Sequence, residues 1–149
     1  MTREKDSLRA LTVILRASAS ITKMVKKDMD SYGVNPTEFM VLELLYSKGP
    51  QAIQIIGNKV LLASSSITYV IDQLEKKDFV ERKQNPADRR VTLVSLTASG
   101  EELMSEIFPQ HSSVIQELFQ DLTEEELVKL ADDIKSIGYK ATELNEINE

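Results

Sequence analysis

The sequence contains no cysteine and only one histidine, and both scarcities narrow what the chain can do. Without cysteine it can form no disulfide, thiolate nucleophile, cysteine-ligated zinc site or thiol-based redox switch. A single histidine, His111, argues against His-rich metal sites and His-based catalytic triads within one chain. We therefore expect no metal site and no cofactor.

Long apolar runs are also missing, since no stretch approaches the roughly 18 apolar residues that a membrane span needs. The first ten residues, MTREKDSLRA, carry charge where a signal peptide has an apolar core. We expect a cytoplasmic protein without membrane contact. The motifs HExxH and G-x-S-x-G and a Gly-rich phosphate loop are absent as well, and Asp132-Asp133 fits a solvated helix face. The sequence nominates no catalytic residue, and we expect no enzyme.

Acidic residues outnumber basic ones, giving a net charge of −6, but the two signs are unevenly distributed. Residues 48–97 carry eight basic and five acidic side chains, whereas residues 98–149 carry three basic and thirteen acidic ones. Salt screens charges beyond roughly 10 Å, so an acidic last third does not forbid nucleic-acid binding elsewhere. The middle of the chain is the basic candidate surface.

Helix start and stop signals predict long helices at both ends of the chain. Apolar residues at helical spacing predict a first helix near 5–32, with a stripe wide enough for a dimer interface. Asn35, Pro36 and Glu38 form a helix start, and Gly49-Pro50 ends that helix. Thr97 begins a helix over about 97–119, where Pro109 predicts a kink or break. A capping box at 123–126 begins a last helix to about 146.

Two shorter helices and a hairpin lie between these long helices. The pattern predicts helices at 53–60 and 64–77, then strands at 79–84 and 91–96 around the loop NPADRR. Two short helices followed by a hairpin are typical of a winged helix-turn-helix. The expected fold is mainly α with a small β-hairpin wing. We divide it into an N-terminal dimerisation helix (1–34), a DNA-binding lobe (35–97) and C-terminal dimerisation helices (98–149).

Three adjoining features of the middle segment point to DNA. Small polar residues at the start of the 64–77 helix suit a recognition helix that enters the major groove. Basic residues that follow suit phosphate contacts, and the arginines of the predicted hairpin tip suit a minor groove. Asp88 cannot favour DNA by its charge, so we expect it to orient Arg90 by a paired hydrogen bond. The candidate DNA-binding residues are Ser64, Ser65, Ser66, Thr68, Tyr69, Lys76, Lys77, Arg82, Lys83, Asp88, Arg89 and Arg90.

Each of these features also has a simpler interpretation. The serine run alone is more often a helix cap, the basic pairs solvated surface, and the DRR sequence an ordinary charged turn. Two other classes of function compete with DNA binding. One is a winged-helix protein-interaction module whose basic wing meets an acidic partner, and it predicts no salt-sensitive duplex binding. The other is an enzyme, for which no substrate is indicated.

Residues 60–97 resemble the DNA-binding lobe of the MarR (multiple antibiotic resistance regulator) family. VLLASSSITYVIDQLEKKDFVER is similar to its recognition helix, NPTEFMVLELLYSKGP to its second helix, and NPADRRVTLVSLTASG to its wing. The wing signature, D-x-R followed by L-T-x-x-G, falls on Asp88, Arg90, Leu96, Thr97 and Gly100. Asp78 stands where the family usually has a glycine, and Asp can adopt the left-handed conformation needed there.

The resemblance implies a homodimeric repressor that binds a pseudo-palindromic double-stranded DNA operator. Ser65, Ser66, Thr68 and Tyr69 are then candidate base readers, and Arg89 is the minor-groove residue. The family usually responds to small aromatic or phenolic ligands bound between the DNA lobe and the dimerisation helices, and the missing cysteine argues against its thiol-reactive members.

The sequence suggests candidates for an effector pocket. Tyr32, Phe39 and Tyr46 could line it, although an aromatic stripe is more often core. His111 could sense a ligand, although a lone histidine on a helix is more often at the surface or an interface.

Overall fold

A computed structural model describes residues 2–60 and 66–147. The elements are α1 (Thr2–Asp30), α2 (Pro36–Lys48), β1 (Gln51–Ala52), α3 (Ile53–Lys59), α4 (Ile67–Lys76), β2 (Val80–Asn85), β3 (Asp88–Leu96), α5 (Ala98–Leu118) and α6 (Glu124–Ile147). The expected fold class, mainly α with a β-hairpin wing, is confirmed. Over the two described ranges, no helix is both long and apolar enough to cross a membrane.

The helix boundaries follow the capping chemistry predicted from the sequence. The Glu38 backbone N–H donates to Asn35 Oδ1 over 2.8 Å, and the Asn35 N–H donates to Glu38 Oε1 over 3.0 Å. Thr123 and Glu126 exchange the same two bonds at the start of α6, at 3.0 and 3.2 Å. Gly49 ends α2 with a φ of 77°, a conformation that costs glycine little. These local signals therefore set where the helices begin and end.

The core of the first part of the chain is built by α2, α3, α4 and the sheet. Its largest fully buried side chains lie on six elements, the helices α2 to α5 and the strands β2 and β3: Phe39, Leu42, Ile56, Ile71, Leu74, Met104, Val41, Val80 and Val94. The apolar residues of α4 share one face, because Val70, Ile71 and Leu74 are buried while Ile67 is half-buried. The α4 helix thus packs by one face and leaves the opposite face to solvent.

The sheet has three antiparallel strands in the order β1-β3-β2, and β1 was not predicted. Gln51 pairs with Val94 and Ala52 with Leu93. Two residues are too few to show an alternating pattern, and their partners lie about forty positions further along the chain. Only the folded chain reveals this strand.

The hairpin, which we call the wing (β2 and β3), has a tighter turn than predicted. The loop NPADRR was expected to connect strands at 79–84 and 91–96, whereas β2 runs to Asn85 and β3 begins at Asp88. Asn85 pairs with Asp88, and its Oδ1 accepts a 2.9 Å hydrogen bond from the Ala87 N–H. This local bond lets a two-residue turn close the hairpin. The prediction that Asp88, Arg89 and Arg90 form a loop tip is therefore wrong, because they begin β3.

The chain divides into two compact units, Met1–His111 and Ser112–Glu149. The α5 helix is continuous through Pro109, so the predicted break does not occur. Proline removes the hydrogen bond to the carbonyl four residues earlier, that of Ser105. Ser105 and Pro109 are both exposed, so water can solvate the freed carbonyl.

Candidate nucleic-acid interface

The solvent-facing side of α4 carries the polar residues predicted for base contact. Ser66, Thr68 and Tyr69 are exposed, and Ser66 occupies the N-cap position without making a side-chain capping bond. Its hydroxyl is therefore not engaged as the simple capping interpretation requires. Ser64 and Ser65 were also predicted to contact DNA, but they lie outside the described residues. From its N-cap onward, the N-terminal end of α4 presents two hydroxyl groups and one phenol.

The C-terminal end of α4 is fixed by a dense set of bonds. Asp78 adopts the predicted left-handed conformation, with a φ of 63°. Its carbonyl accepts a 2.6 Å hydrogen bond from the Thr97 hydroxyl, which in turn accepts the Gly100 N–H at 3.1 Å. Thr97 therefore caps α5, and its hydroxyl joins the start of that helix to the turn that follows α4. A Cβ added at Gly100 would lie 2.1 Å from the Phe79 carbonyl oxygen, so glycine is required there. This close approach explains the L-T-x-x-G signature physically.

Arg82 joins the wing to α4. Its Nη1 donates to Glu75 Oε1 over 2.8 Å and its Nη2 to Asp72 Oδ1 over 2.5 Å. Both carboxylates belong to the α4 helix, whereas Arg82 belongs to β2. Arg82 was predicted to contact phosphate, but its two carboxylate partners neutralise the guanidinium charge. The geometry assigns it to holding β2 on α4, and its phosphate contact remains a prediction.

The wing carries the expected Asp88–Arg90 pair at the start of β3. Arg90 Nε donates to Asp88 Oδ1 over 3.1 Å, and Arg90 Nη2 donates to Asp88 Oδ2 over 3.2 Å. The Arg90 backbone N–H also donates to Asp88 Oδ1 over 3.1 Å. The side-chain bonds from Arg90 lower the pKa of Asp88 below its usual value, and the backbone bond adds a smaller effect in the same direction. The pair fixes the Arg90 side chain although that side chain is 90% exposed.

The other basic residues predicted to contact DNA differ in whether an acidic side chain neutralises their charge. Lys83 pairs with Glu81 over 3.0 Å at the surface, which salt screens readily. Lys77 pairs with the buried Glu38. Within residues 2–60 and 66–147, Lys76 and Arg89 make no ion pair and are exposed. Lys76 and Arg89 are therefore cations that a DNA phosphate could engage without displacing a carboxylate.

A groove of about 420 Å³ lies against the inner edge of α4, between α4, α1 and the start of α2. We call it the effector groove, and its lining residues are Ile21, Thr22, Val25, Asn35, Pro36, Thr37, Glu38, Met40, Tyr69, Val70 and Gln73. The lining combines apolar side chains with side chains that carry hydroxyl and amide groups. Among the described residues of this lining, Glu38 is the only charged one, and its carboxylate is already paired with Lys77.

The aromatic residues predicted as candidates for an effector pocket pack within or against the hydrophobic core. Phe39 is fully buried, with its ring centroid 6.0 Å from that of Tyr32 and 4.4 Å from that of His111. Tyr46 is half-buried against Phe108, at a ring distance of 5.6 Å. Neither Tyr32, Phe39 nor Tyr46 lines the effector groove. The alternative interpretation, that these aromatic residues contribute to the core, agrees with the packing of all three.

His111 is buried, contrary to the expectation of a surface or interface histidine. Its Nδ1 lies 3.0 Å from Asp28 Oδ2, and the Tyr32 hydroxyl donates to Asp28 Oδ1 over 2.8 Å. Burial raises the pKa of Tyr32 to about 12, and the bond to Asp28 and its negative charge act in the same direction. Asp28 thus joins α1 to α5 inside the first unit.

Sequence reasoning missed the partners of the basic residues. Glu38 was recognised only as part of a helix start, and neither Asp72 nor Glu75 was identified as a partner of Arg82. Asp72 and Glu75 stand three positions apart on one helix face, a spacing that could have suggested a shared cation. Glu38 and Lys77 are 39 positions apart and gave no local signal. Among the residues that the structure describes, no cluster of three potential ligands is arranged to hold a metal ion.

An exposed polar helix joined to a hairpin with an exposed arginine pair defines a winged helix-turn-helix DNA-binding protein. Comparison with known proteins agrees, since residues 34–92 match the model of the MarR family. The chain is 46% identical over 141 residues to the HTH-type transcriptional regulator MhqR of Bacillus subtilis (strain 168). That alignment covers 95% of this chain and 97% of MhqR. The chain belongs to the MarR family of transcriptional regulators.

Solved structures share the fold at lower identity. A mutant MarR from E. coli complexed with operator DNA superposes with a TM-score of 0.73 and 21% identity, covering 89% of this chain and 95% of that one. BpsR of Bordetella bronchiseptica, whose DNA binding is regulated by 6-hydroxynicotinic acid, gives 0.72 and 22%, covering 87% and 98%. At such identities the likeness demonstrates the fold.

Proposed function

We propose that this regulator is a homodimeric repressor that binds a pseudo-palindromic operator and is released by a small aromatic ligand. The observation that carries the proposal is the junction of α4 with the wing. The Arg82 bonds to Asp72 and Glu75 hold the two elements together. One protomer would place α4 in a major groove and Arg89 in the flanking minor groove. A protein seated on a promoter would exclude polymerase from it.

Apolar side chains on the terminal helices support a dimer. In α1, four of them are more than half exposed: Leu8, Leu11, Val13 and Leu15. In α6, none of the residues 124–147 is buried, and four apolar ones are more than half exposed: Val128, Ile137, Tyr139 and Ile147. Apolar surface on this scale marks an interface between chains. A two-fold dimer would read two half-sites roughly 10 base pairs apart.

The effector groove supports release by a ligand. Tyr69, Val70 and Gln73 of α4 line one side, so a ligand there would contact the recognition helix directly. A ligand shifts an equilibrium only if it binds one conformation better than the other. The apolar side chains of the lining and its neutral hydroxyl and amide groups suit an uncharged phenol. A carboxylate would find no unpaired cation among the lining residues.

The proposal is tested by selecting bound sequences from random duplex DNA with the purified protein. We expect an inverted repeat, and sedimentation should find two protomers on each site. Phenol should then release the protein, and more effectively than benzoate. Thr22→Trp should abolish release while operator binding persists, because Thr22 is an exposed residue of the groove and tryptophan would fill it. An asymmetric site bound by one protomer would overturn the dimeric reading.

A further inference from the structure

An ion pair between a buried glutamate and a partly exposed lysine joins the start of α2 to the end of the recognition helix. Lys77 Nζ donates to Glu38 Oε2 over 2.9 Å and to Glu38 Oε1 over 3.1 Å. The Glu38 side chain is only 4% exposed, whereas that of Lys77 is 39% exposed. Glu38 Oε1 also accepts the Asn35 N–H of the capping box. The carboxylate is therefore satisfied from both sides in a place that water scarcely reaches.

Both charges sit at the helix ends that favour them. Glu38 lies in the first turn of α2, where the helix dipole favours an anion, and Lys77 is the C-cap of α4, where it favours a cation. A buried carboxylate that loses its cation is costly, so Glu38 holds the lysine firmly. Through Lys77 it holds the C-terminal end of α4 against α2.

We propose that the Glu38–Lys77 pair positions the recognition helix for operator reading and that Lys77 is not a phosphate contact. The inference rests on the proposed function, and it assigns roles to one basic and one acidic residue of the chain. Lys77 was expected on the basic surface with Lys76, but the two neighbours differ in the structure. Lys76 is exposed and makes no ion pair within the described ranges, so its charge is available to DNA.

The two roles predict different dependences of DNA affinity on salt concentration. Each phosphate contact contributes about 0.9 to the slope of log affinity against log salt concentration. A phosphate-binding lysine lost from both protomers should flatten the slope by about two. Loss of a positioning residue should weaken specific binding, leave the slope unchanged and leave binding to scrambled DNA unchanged.

The experiment is a double-mutant cycle on the selected operator with Glu38→Gln, Lys77→Gln and both together. Glutamine can still accept the Asn35 N–H, so the capping box survives in Glu38→Gln. We expect each single variant to lose about tenfold in operator affinity and the double variant to lose no more, because contacting residues are not additive. Lys77→Arg should restore most of the affinity. The matched control, Lys76→Gln, should flatten the salt slope.

Every variant is first checked for cooperative unfolding, and binding is measured well below its melting temperature. A flatter slope for Lys77→Gln, with binding by Glu38→Gln as tight as wild type or tighter, would show that Lys77 contacts phosphate. Folded variants with wild-type affinity and selectivity would show that the pair serves stability alone. Either result overturns the positioning role while the regulator function stands. Failure of the wild-type protein to select any operator would instead overturn the proposed function.

Discussion

The guanidinium of Arg90 donates two hydrogen bonds, of 3.1 and 3.2 Å, to the carboxylate of Asp88, which lies two residues earlier on β3. Paired hydrogen bonds of this kind fix the plane of a guanidinium as well as its position. An acidic residue thus positions a cationic side chain of the wing. A variant of Asp88 can distinguish this positioning from the effect of its negative charge on DNA.

Asp88→Ala should weaken operator binding although it removes a negative charge. Without its partner, Arg90 samples many rotamers, and ordering it on DNA costs entropy. We expect a loss of about three- to tenfold, corresponding to roughly 1 kcal/mol. The matched control is Glu81→Ala, which removes an exposed acidic side chain from β2 of the same wing. Fluorescence anisotropy should find weaker binding for Asp88→Ala only. Equal tightening in both variants would favour an account based on charge alone.

Arg89→Ala should weaken DNA binding while the dimer stays intact. The side chain is exposed and makes no ion pair in the described part of the chain, so its loss leaves the fold unperturbed. We expect about a tenfold loss of affinity and a salt slope lower by about two, one contact for each protomer. Lys48→Ala is a suitable control, since it removes an exposed cation at the end of α2. Unchanged operator affinity in Arg89→Ala would contradict the role of the wing.

Gly100→Ala should destabilise the fold. The added methyl group would lie 2.1 Å from the Phe79 carbonyl oxygen, a backbone atom that cannot turn aside. Overpacking of this kind costs about 2 kcal/mol. Gly138→Ala is the matched control within α6, because no described residue apart from the chain neighbours and the helix's own backbone comes within 4 Å of the added atom. It should stabilise the helix by about 0.5–1 kcal/mol. Urea denaturation of both variants checks the two signs, and equal stabilities would contradict the packing.

Tyr32 should make the stability fall at high pH. Its pKa is raised to about 12 in the folded protein, against 10.0 for an ordinary tyrosine. The unfolded chain therefore ionises first, so the contribution of Tyr32 is complete below pH 10 and is lost as the pH rises towards 12. Urea midpoints at pH 9 and 11.5 measure this loss. Tyr32→Phe should lose less stability over that interval, and an equal loss in both proteins would refute the shift.

Much of the fold could be predicted because its signals are local. The Asn35–Glu38 and Thr123–Glu126 boxes mark helix starts within four residues. The apolar stripe of α4 and the Asp88–Arg90 pair likewise need only short-range spacing. These features belong to single elements, so a linear sequence displays them.

The unpredicted features connect residues distant in sequence. His111 and Asp28 are 83 positions apart, and Glu38 and Lys77 are 39 apart. The sequence indicates the charges but not their partners, so it presented Lys77 as one more surface cation. For the same reason it could not distinguish core aromatics from pocket aromatics. The burial of Phe39 depends on the packing of α2 against α5, where its ring lies beside that of His111.

The central claim is that α4 and the wing read a particular duplex sequence, and one salt series tests it most directly. The purified protein is titrated into the DNA upstream of its own gene and into scrambled DNA of equal length, from about 50 to 200 mM salt. The account predicts tight binding to the native DNA, weaker binding to the scrambled one, and a steep loss of affinity with salt in both. No binding to either duplex even at 50 mM salt would contradict it and favour a winged-helix module that binds protein.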